Sequence, residues 1–195
     1  MKRILIFSGL SMILAGCFSL KTPLPYVEYY DLDIPQSKYK QCQKPVSIAI
    51  ANIQSAPIYN TTEILSKKQD GSVKSLPNLG WVDLPKNLIK KNLIKTLNHS
   101  CVKTLVAPFG GVKYDYLLKA ELLNFEVVSK DNKEVWVALF YEFSRADEFQ
   151  IIQSNVIEKR VKVKNNQIIE AFSQALDDVI GSLMNAIESK YLKNK

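Results

Sequence analysis

Histidine is nearly missing from this chain. His99 is the only one in 195 residues, beside three cysteines and seven glycines. A lone histidine without a Cys-x-x-Cys pair leaves no ligand set for a structural or catalytic zinc. As a general base His99 would need a nucleophile and an orienting partner, and only Cys101 lies close in sequence. At the end of a predicted helix its imidazolium instead suits the helix dipole. Glycine is too sparse for a phosphate-cradling loop: Gly110-Gly111 lacks the following Lys-Ser/Thr and the strand-to-helix setting. Asp177-Asp178 is a carboxylate pair by adjacency alone, because neighbouring helix residues point about 100° apart. No apolar run is long enough to span a bilayer as a permanent helix. These absences argue against an enzyme and against any metal or dissociable cofactor.

What is present begins at the N-terminus. Lys2 and Arg3 precede a greasy stretch over residues 4–14, broken only by Ser8, Gly9 and Ser11. That is the profile of a secretory signal. It ends in Leu14-Ala15-Gly16-Cys17, which resembles the lipobox of bacterial lipoproteins, where small side chains precede the cut and the cysteine thiol takes a diacylglycerol. The expected processing leaves residues 1–16 as signal peptide, residues 17–25 as a lipidated tether with two prolines, and residues 26–195 as one periplasmic domain. The covalent lipid on Cys17 is the only non-protein group expected. Several acyl chains anchor stably where one would be marginal.

Without the signal the chain keeps 24 basic and 19 acidic residues. This mild excess is compatible with anionic headgroups nearby and equally with simple solubility. The lysines are scattered rather than gathered in one stripe, and export removes the chain from nucleic acid, so nucleic acid is excluded as a partner. Cys42 and Cys101 remain after lipidation. They form either a disulfide, which an oxidising compartment allows, or two buried thiols. Closing so long a loop would stabilise the fold by about 4 kcal/mol in the chain-entropy model.

Periodicity predicts the elements. Residues 26–32 alternate and are rich in tyrosine, as a strand would be. In residues 45–53, Val46, Ile48 and Ile50 share a face opposite small residues, which predicts a strand covered by a helix. Gln69-Asp70-Gly71 between two β-prone arms, Thr61 to Lys68 and Ser72 to Leu76, predicts an exposed hairpin. Asp83 as cap and Pro85 in the first turn predict a helix to about residue 98, with Ile89, Leu93 and Leu97 on its apolar stripe beside Ile94. Lys86, Lys90, Lys91 and Lys95 take the polar side. Short strand 101–107 is followed by a meander over 114–128, 134–143 and 149–164. A helix over 166–191 carries an apolar stripe from Ile168 to Ile187. The predicted class is α+β, with two amphipathic helices on one face of a mixed, largely antiparallel sheet. The many aromatics, among them Tyr26, Tyr29, Tyr30, Tyr59, Trp81, Trp136 and Phe140, either pack strand faces against helices or line a groove for acyl chains or a partner.

Taken in order, these stretches resemble a known family. "YYDL" at 29–32, "PVSIAIANI" at 45–53, the turn at Pro57-Ile58-Tyr59, "GWVDLPKNLIKKNLIKTL" at 80–97 and "YDYLLKAELLNFEV" at 114–127 look like the ABC-type transport auxiliary lipoproteins. Trp81 followed by Leu84-Pro85 and a helix is the most specific stretch, although the family order there is Pro-Leu. The resemblance implies two helices on a mixed sheet. It implies partnership with an MCE-domain protein and an ABC permease and ATPase that move phospholipids or other hydrophobic molecules. It leaves homo-oligomerisation open. Phe18 after the lipidated cysteine implies the periplasmic side of the outer membrane rather than the inner. Two other classes fit the same features: an envelope assembly lipoprotein of lipopolysaccharide or Tol type, and a surface adhesin.

Overall fold

The computed structural model describes residues 26–35, 45–100, 102–129, 133–147 and 150–188. The signal and tether, Cys17, Cys42 and Cys101 lie outside the described residues. So do residues 189–191 of the predicted last helix.

The strands are β1 (Glu28–Tyr30), β2 (Val46–Ile50), β3 (Gln54–Ser55), β4 (Glu63–Lys68), β5 (Val73–Trp81), β6 (Val102–Val106), β7 (Tyr116–Ser129), β8 (Lys133–Arg145) and β9 (Ile151–Lys162). The helices are α1 (Pro85–His99), between β5 and β6, and α2 (Ile168–Ile187), after β9. All nine strands join one mixed sheet, and β7 is its spine. One side of β7 pairs with β8 in antiparallel register along nearly its whole length, and β9 adds antiparallel to β8. On the other side β2, β3 and β4 take successive stretches of β7, all parallel. The sheet therefore forks. One branch continues from β2 to parallel β6, and the other from β4 to antiparallel β5 and then parallel β1.

The helices cover one face. Inward residues of β8 (Val135, Val137, Leu139, Tyr141 and Phe143) are all buried against α2, whose Phe172, Ala175, Leu176, Val179, Ile180 and Leu183 face them. On β7 the inward set starts as predicted with Tyr116, Leu118, Ala120 and Leu122. A bulge between Leu122 and Asn124 then moves the phase by one residue, so Phe125 and Val127 continue it. An inserted residue reverses which side chains point inward.

Several boundaries differ from the sequence reading. The hairpin is exposed only towards its tip. Its base holds Ile64, Leu65 and Ser66, all buried, because β4 is paired on both sides. The second arm does not stop at Leu76. Its register against β4 jumps around Pro77 and Asn78, and Asn78 takes φ of 63°. Proline at such an irregularity costs no ladder bond. Asp83 is not the cap of α1. Leu84 occupies that position, while Asp83 Oδ1 accepts from the Leu84 N–H at 2.6 Å and from Asn87 Nδ2 at 2.8 Å. Pro85 does stand in the first turn.

The segment after β1 is strapped to α1. Leu32 and Ile34 enter the core. Asn92, fully buried, donates from Nδ2 to Leu32 O at 2.6 Å and to Leu88 O at 2.9 Å, and its Oδ1 accepts from the Ile34 N–H at 3.1 Å. Asn92→Ala strands a buried donor and acceptor of the strap, and is expected to cost about 2–3 kcal/mol in urea denaturation. Ion pairs add to the strap: Lys91 meets Asp31 and Asp33, and Lys95 meets Asp33. Hydrogen bonds from Lys95 and then Lys91 hold the Asp33 carboxyl below its ordinary range. A lowered carboxylate stabilises at pH above its unfolded value, and that stabilisation is lost as pH falls through the folded value. Exchange protection of the Ile34 amide, corrected for intrinsic rate, is therefore expected to drop selectively below about pH 4.

Candidate functional site on the outer face of the sheet

The face of β7 and β8 turned away from the helices carries a transverse row of polar and aromatic side chains. Strand register sets it: Glu126 of β7 lies opposite Trp136 of β8, which lies opposite Arg160 of β9. Lys67, near the end of β4, completes the row. The Arg160 guanidinium sits 4.0 Å from the Trp136 ring centroid, and the Lys67 ammonium 5.9 Å from it. Two cations against one indole exploit its negative faces. Trp136 Nε1 donates to Glu158 Oε2 at 3.2 Å.

Glu126 is only 2% exposed, which is unusual for a carboxylate. Its oxygens are engaged. Tyr59 Oη donates to Oε2 at 2.7 Å, Asn124 Nδ2 donates to Oε1 at 3.2 Å, and Lys67 Nζ stands 3.8 Å from Oε1. Tyr59 arrives on the single helical turn Pro57–Tyr59, between β3 and β4, and β7 bulges nearby between Leu122 and Asn124. Burial first, and then the bond to Glu126, push the Tyr59 phenol well above the usual tyrosine range. It therefore stays a donor across physiological pH. Tyr59→Phe is expected to cost about 1.5–3 kcal/mol, the value of a bond to a charged acceptor. Glu126→Gln should cost less in the Tyr59→Phe background than alone, which a double-mutant cycle by denaturation reads directly.

This cluster binds structure together: its one hydroxyl–carboxylate pair, Tyr59 with Glu126, is buried, and burial and the bond to Glu126 keep the phenol protonated. Other residues singled out from sequence are dispersed. His99 stands in the last turn of α1, its Nδ1 2.7 Å from Lys95 O. Gly110 and Gly111 take positive φ in a turn that leads into a strand. Asp177 and Asp178 sit side by side on α2; burial and then Asp178 push Asp177 upward. Among the described residues no group of three His, Cys, Asp or Glu side chains is placed to hold a metal ion.

The family-motif positions serve the core. Trp81 is 1% exposed and meets Phe172 edge-on at 5.0 Å and Phe125 at 5.6 Å. Pro85 is buried, and Leu84 is half-buried before it. The aromatics divide between the two readings. Tyr59, Trp81, Tyr116 and Tyr141 are core, while Tyr26 and Tyr29 are exposed, and Tyr29 lines a cleft of about 420 Å³ between β1 and the β4–β5 hairpin. Asn92 and Glu126 were not singled out from the sequence. The α1 lysines lie on the polar side as expected, and there Lys86 and Lys90 donate to Asn60 at 2.9 Å and Asn52 at 3.0 Å.

Comparison with known proteins agrees with this architecture. Residues 30–184 match the model of the ABC-type transport auxiliary lipoprotein component family. The fold is similar to a Xanthomonas campestris protein carrying the family model DUF330, at 15% identity and a TM-score of 0.68, covering 80% of this chain and 92% of that one. It is also similar to the hypothetical protein CT253 of Chlamydia trachomatis, at 12% identity and a TM-score of 0.53, covering 77% and 99%. No curated protein matches in sequence.

Proposed function

Because the chain belongs to the ABC-type transport auxiliary lipoprotein component family, we propose that it is the lipid-anchored auxiliary subunit of an MCE-type ABC system that moves phospholipids or other hydrophobic molecules across the periplasm. The observation that carries the reading is the extent of the match. It takes in Tyr30 of β1, the Trp81-to-Pro85 stretch and nearly all of α2. The family is one of transport auxiliaries rather than enzymes, and the clustered side chains of the outer face are arranged for cohesion rather than catalysis.

Cys17 carries the diacylglycerol and, with Phe18 behind it, the domain faces the periplasm from the outer membrane. Residues 17–25 reach at most about 30 Å when fully extended. The first described residue, Tyr26, is 81% exposed and adjoins β1. The tether thus enters the domain beside the β1–β5 edge, and residues 31–34 just after it are held on α1 by Asn92, Lys91 and Lys95.

Epistasis tests the assignment. Deleting this gene should give the same envelope permeability defect as deleting the permease of its system, and the double deletion should be no worse. An additive double phenotype would place the chain in a separate process.

A further inference from the structure

The geometry points to the outer edge of β9 as the docking site for an extended, acidic segment of another envelope protein, added to the sheet as a tenth strand. Among the described residues β9 pairs only with β8. It is twelve residues long, whereas the other outermost strands, β1 and β6, have three and five. Short edges give little to pair with; a long one offers a row of backbone donors and acceptors.

The phase of that row is fixed by two hydrogen bonds. The Val163 N–H donates to Lys133 O at 2.9 Å, towards β8. The Val156 N–H turns away and is satisfied by the side chain of Asn155 at 2.8 Å. Backbone groups alternate sides along a strand. Ser154, Val156, Glu158, Arg160 and Lys162 therefore present their N–H and C=O groups outwards.

Charge selects the occupant. Lys159, Arg160, Lys162 and Lys164 stand against one acid, Glu158, over residues 158–164. None of these four cations makes an ion pair among the described residues. A groove of about 390 Å³ runs beside this half of the strand, with Arg160, Lys162 and Lys164 on one wall and Glu170 and Asp178 of α2 on the other. An added strand would turn alternate residues to the two walls. Acidic side chains would meet Arg160 and Lys162 on the outer face, and neutral ones would lie against α2. Basic residues on an edge also discourage a second copy in registers that bring Arg160 and Lys162 of both chains together. A membrane surface would use the charge, and its phosphates could accept from N–H groups, but it has no alternating donors and acceptors at strand spacing to match both the outward N–H and C=O groups.

The test uses the full lipidated chain in detergent and two blocked ten-residue peptides, one alternating Glu with Thr and one alternating Lys with Thr. Amide exchange is followed across residues 151–162. The Glu peptide is expected to slow exchange at the outward amides by about tenfold at saturation, and the Lys peptide is expected to leave them unchanged. Val156→Pro removes an outward N–H and no ladder bond, so it should abolish the protection while the thermal transition stays cooperative. Should that variant misfold, the R160E/K162E double variant keeps the backbone and should reverse the preference to the Lys peptide. Equal protection by both peptides, or none by either, would overturn the proposal. So would protection that appears only with chain concentration, which indicates self-pairing, or only with phosphatidylglycerol vesicles, which indicates a lipid surface.

Discussion

Replacing Trp81 by alanine is expected to lower the unfolding free energy by about 4 kcal/mol, within the range for emptying a large aromatic from a core. Trp81 joins parts of the chain that are distant in sequence. Its backbone N–H donates to Thr62 O at 2.6 Å, and its register partner is Tyr30 of β1. Its indole touches Phe172 of α2 and Phe125 of β7, whose rings lie 4.8 Å from each other. Truncation leaves both phenylalanines without an edge-to-face partner, so surrounding side chains cannot close the void cheaply. For a domain of this size the melting temperature should fall by about 10–15 °C. The neighbouring Leu84→Ala, at a half-buried position, should cost about 1 kcal/mol. Urea denaturation of both variants decides the matter. A loss below about 1.5 kcal/mol for Trp81→Ala would mean that the aromatic cluster does not tie the branches of the sheet together.

Cys17→Ser is expected to move the protein from the membrane fraction to the soluble one. Serine has no thiolate to form the thioether, and without it the mature chain has no acyl anchor. Among the described residues no helix is long and apolar enough to cross a membrane. Each buried methylene of an acyl chain contributes about 0.8 kcal/mol, so losing two or three chains removes far more than the domain's mild positive charge supplies. That charge is further reduced in effect on α1, where Lys86, Lys90, Lys91 and Lys95 already hold neighbouring segments. Sucrose-gradient fractionation with mass analysis of the N-terminal peptide reads the outcome. Wild-type chain should band with the outer membrane and carry acyl mass; a wild-type chain that is soluble and unmodified would remove the anchor from the account.

Most of the architecture could be read from periodicity. Residues 135–141 are an unbroken apolar run, but Glu134, Glu142 and Ser144 set the phase, and every predicted inward residue of β8 is buried. The stripe of α2 from Phe172 to Ile187 was equally plain. What periodicity could not reveal was the phase change at Leu123, because a bulge is set by the partner strands and not by the residue inserted. The continuation of β5 through Pro77 and Asn78 was hidden for the same reason: proline normally ends a strand unless pairing resumes beyond it. The buried polar groups were harder still. Asn92 looks like one more polar position on a lysine-rich helix until Leu32 and Ile34 lie against it. Glu126 falls in phase with Leu118 and Leu122 by strict alternation; the bulge turns it to the outer face, where Tyr59, sixty-seven residues away, covers it. The Trp81-to-Pro85 stretch identified the family, yet its role is packing. The edge of β9 was legible as a charged strand, but which of its backbone groups point outward needed the register.

Purification of the tagged chain from detergent-solubilised membranes of its native host tests the proposed role most directly. An MCE-domain protein and an ABC permease or ATPase should come with it, and both should be lost with Cys17→Ser. Recovery of other envelope assembly factors instead, or of no partner after mild cross-linking, would contradict that role.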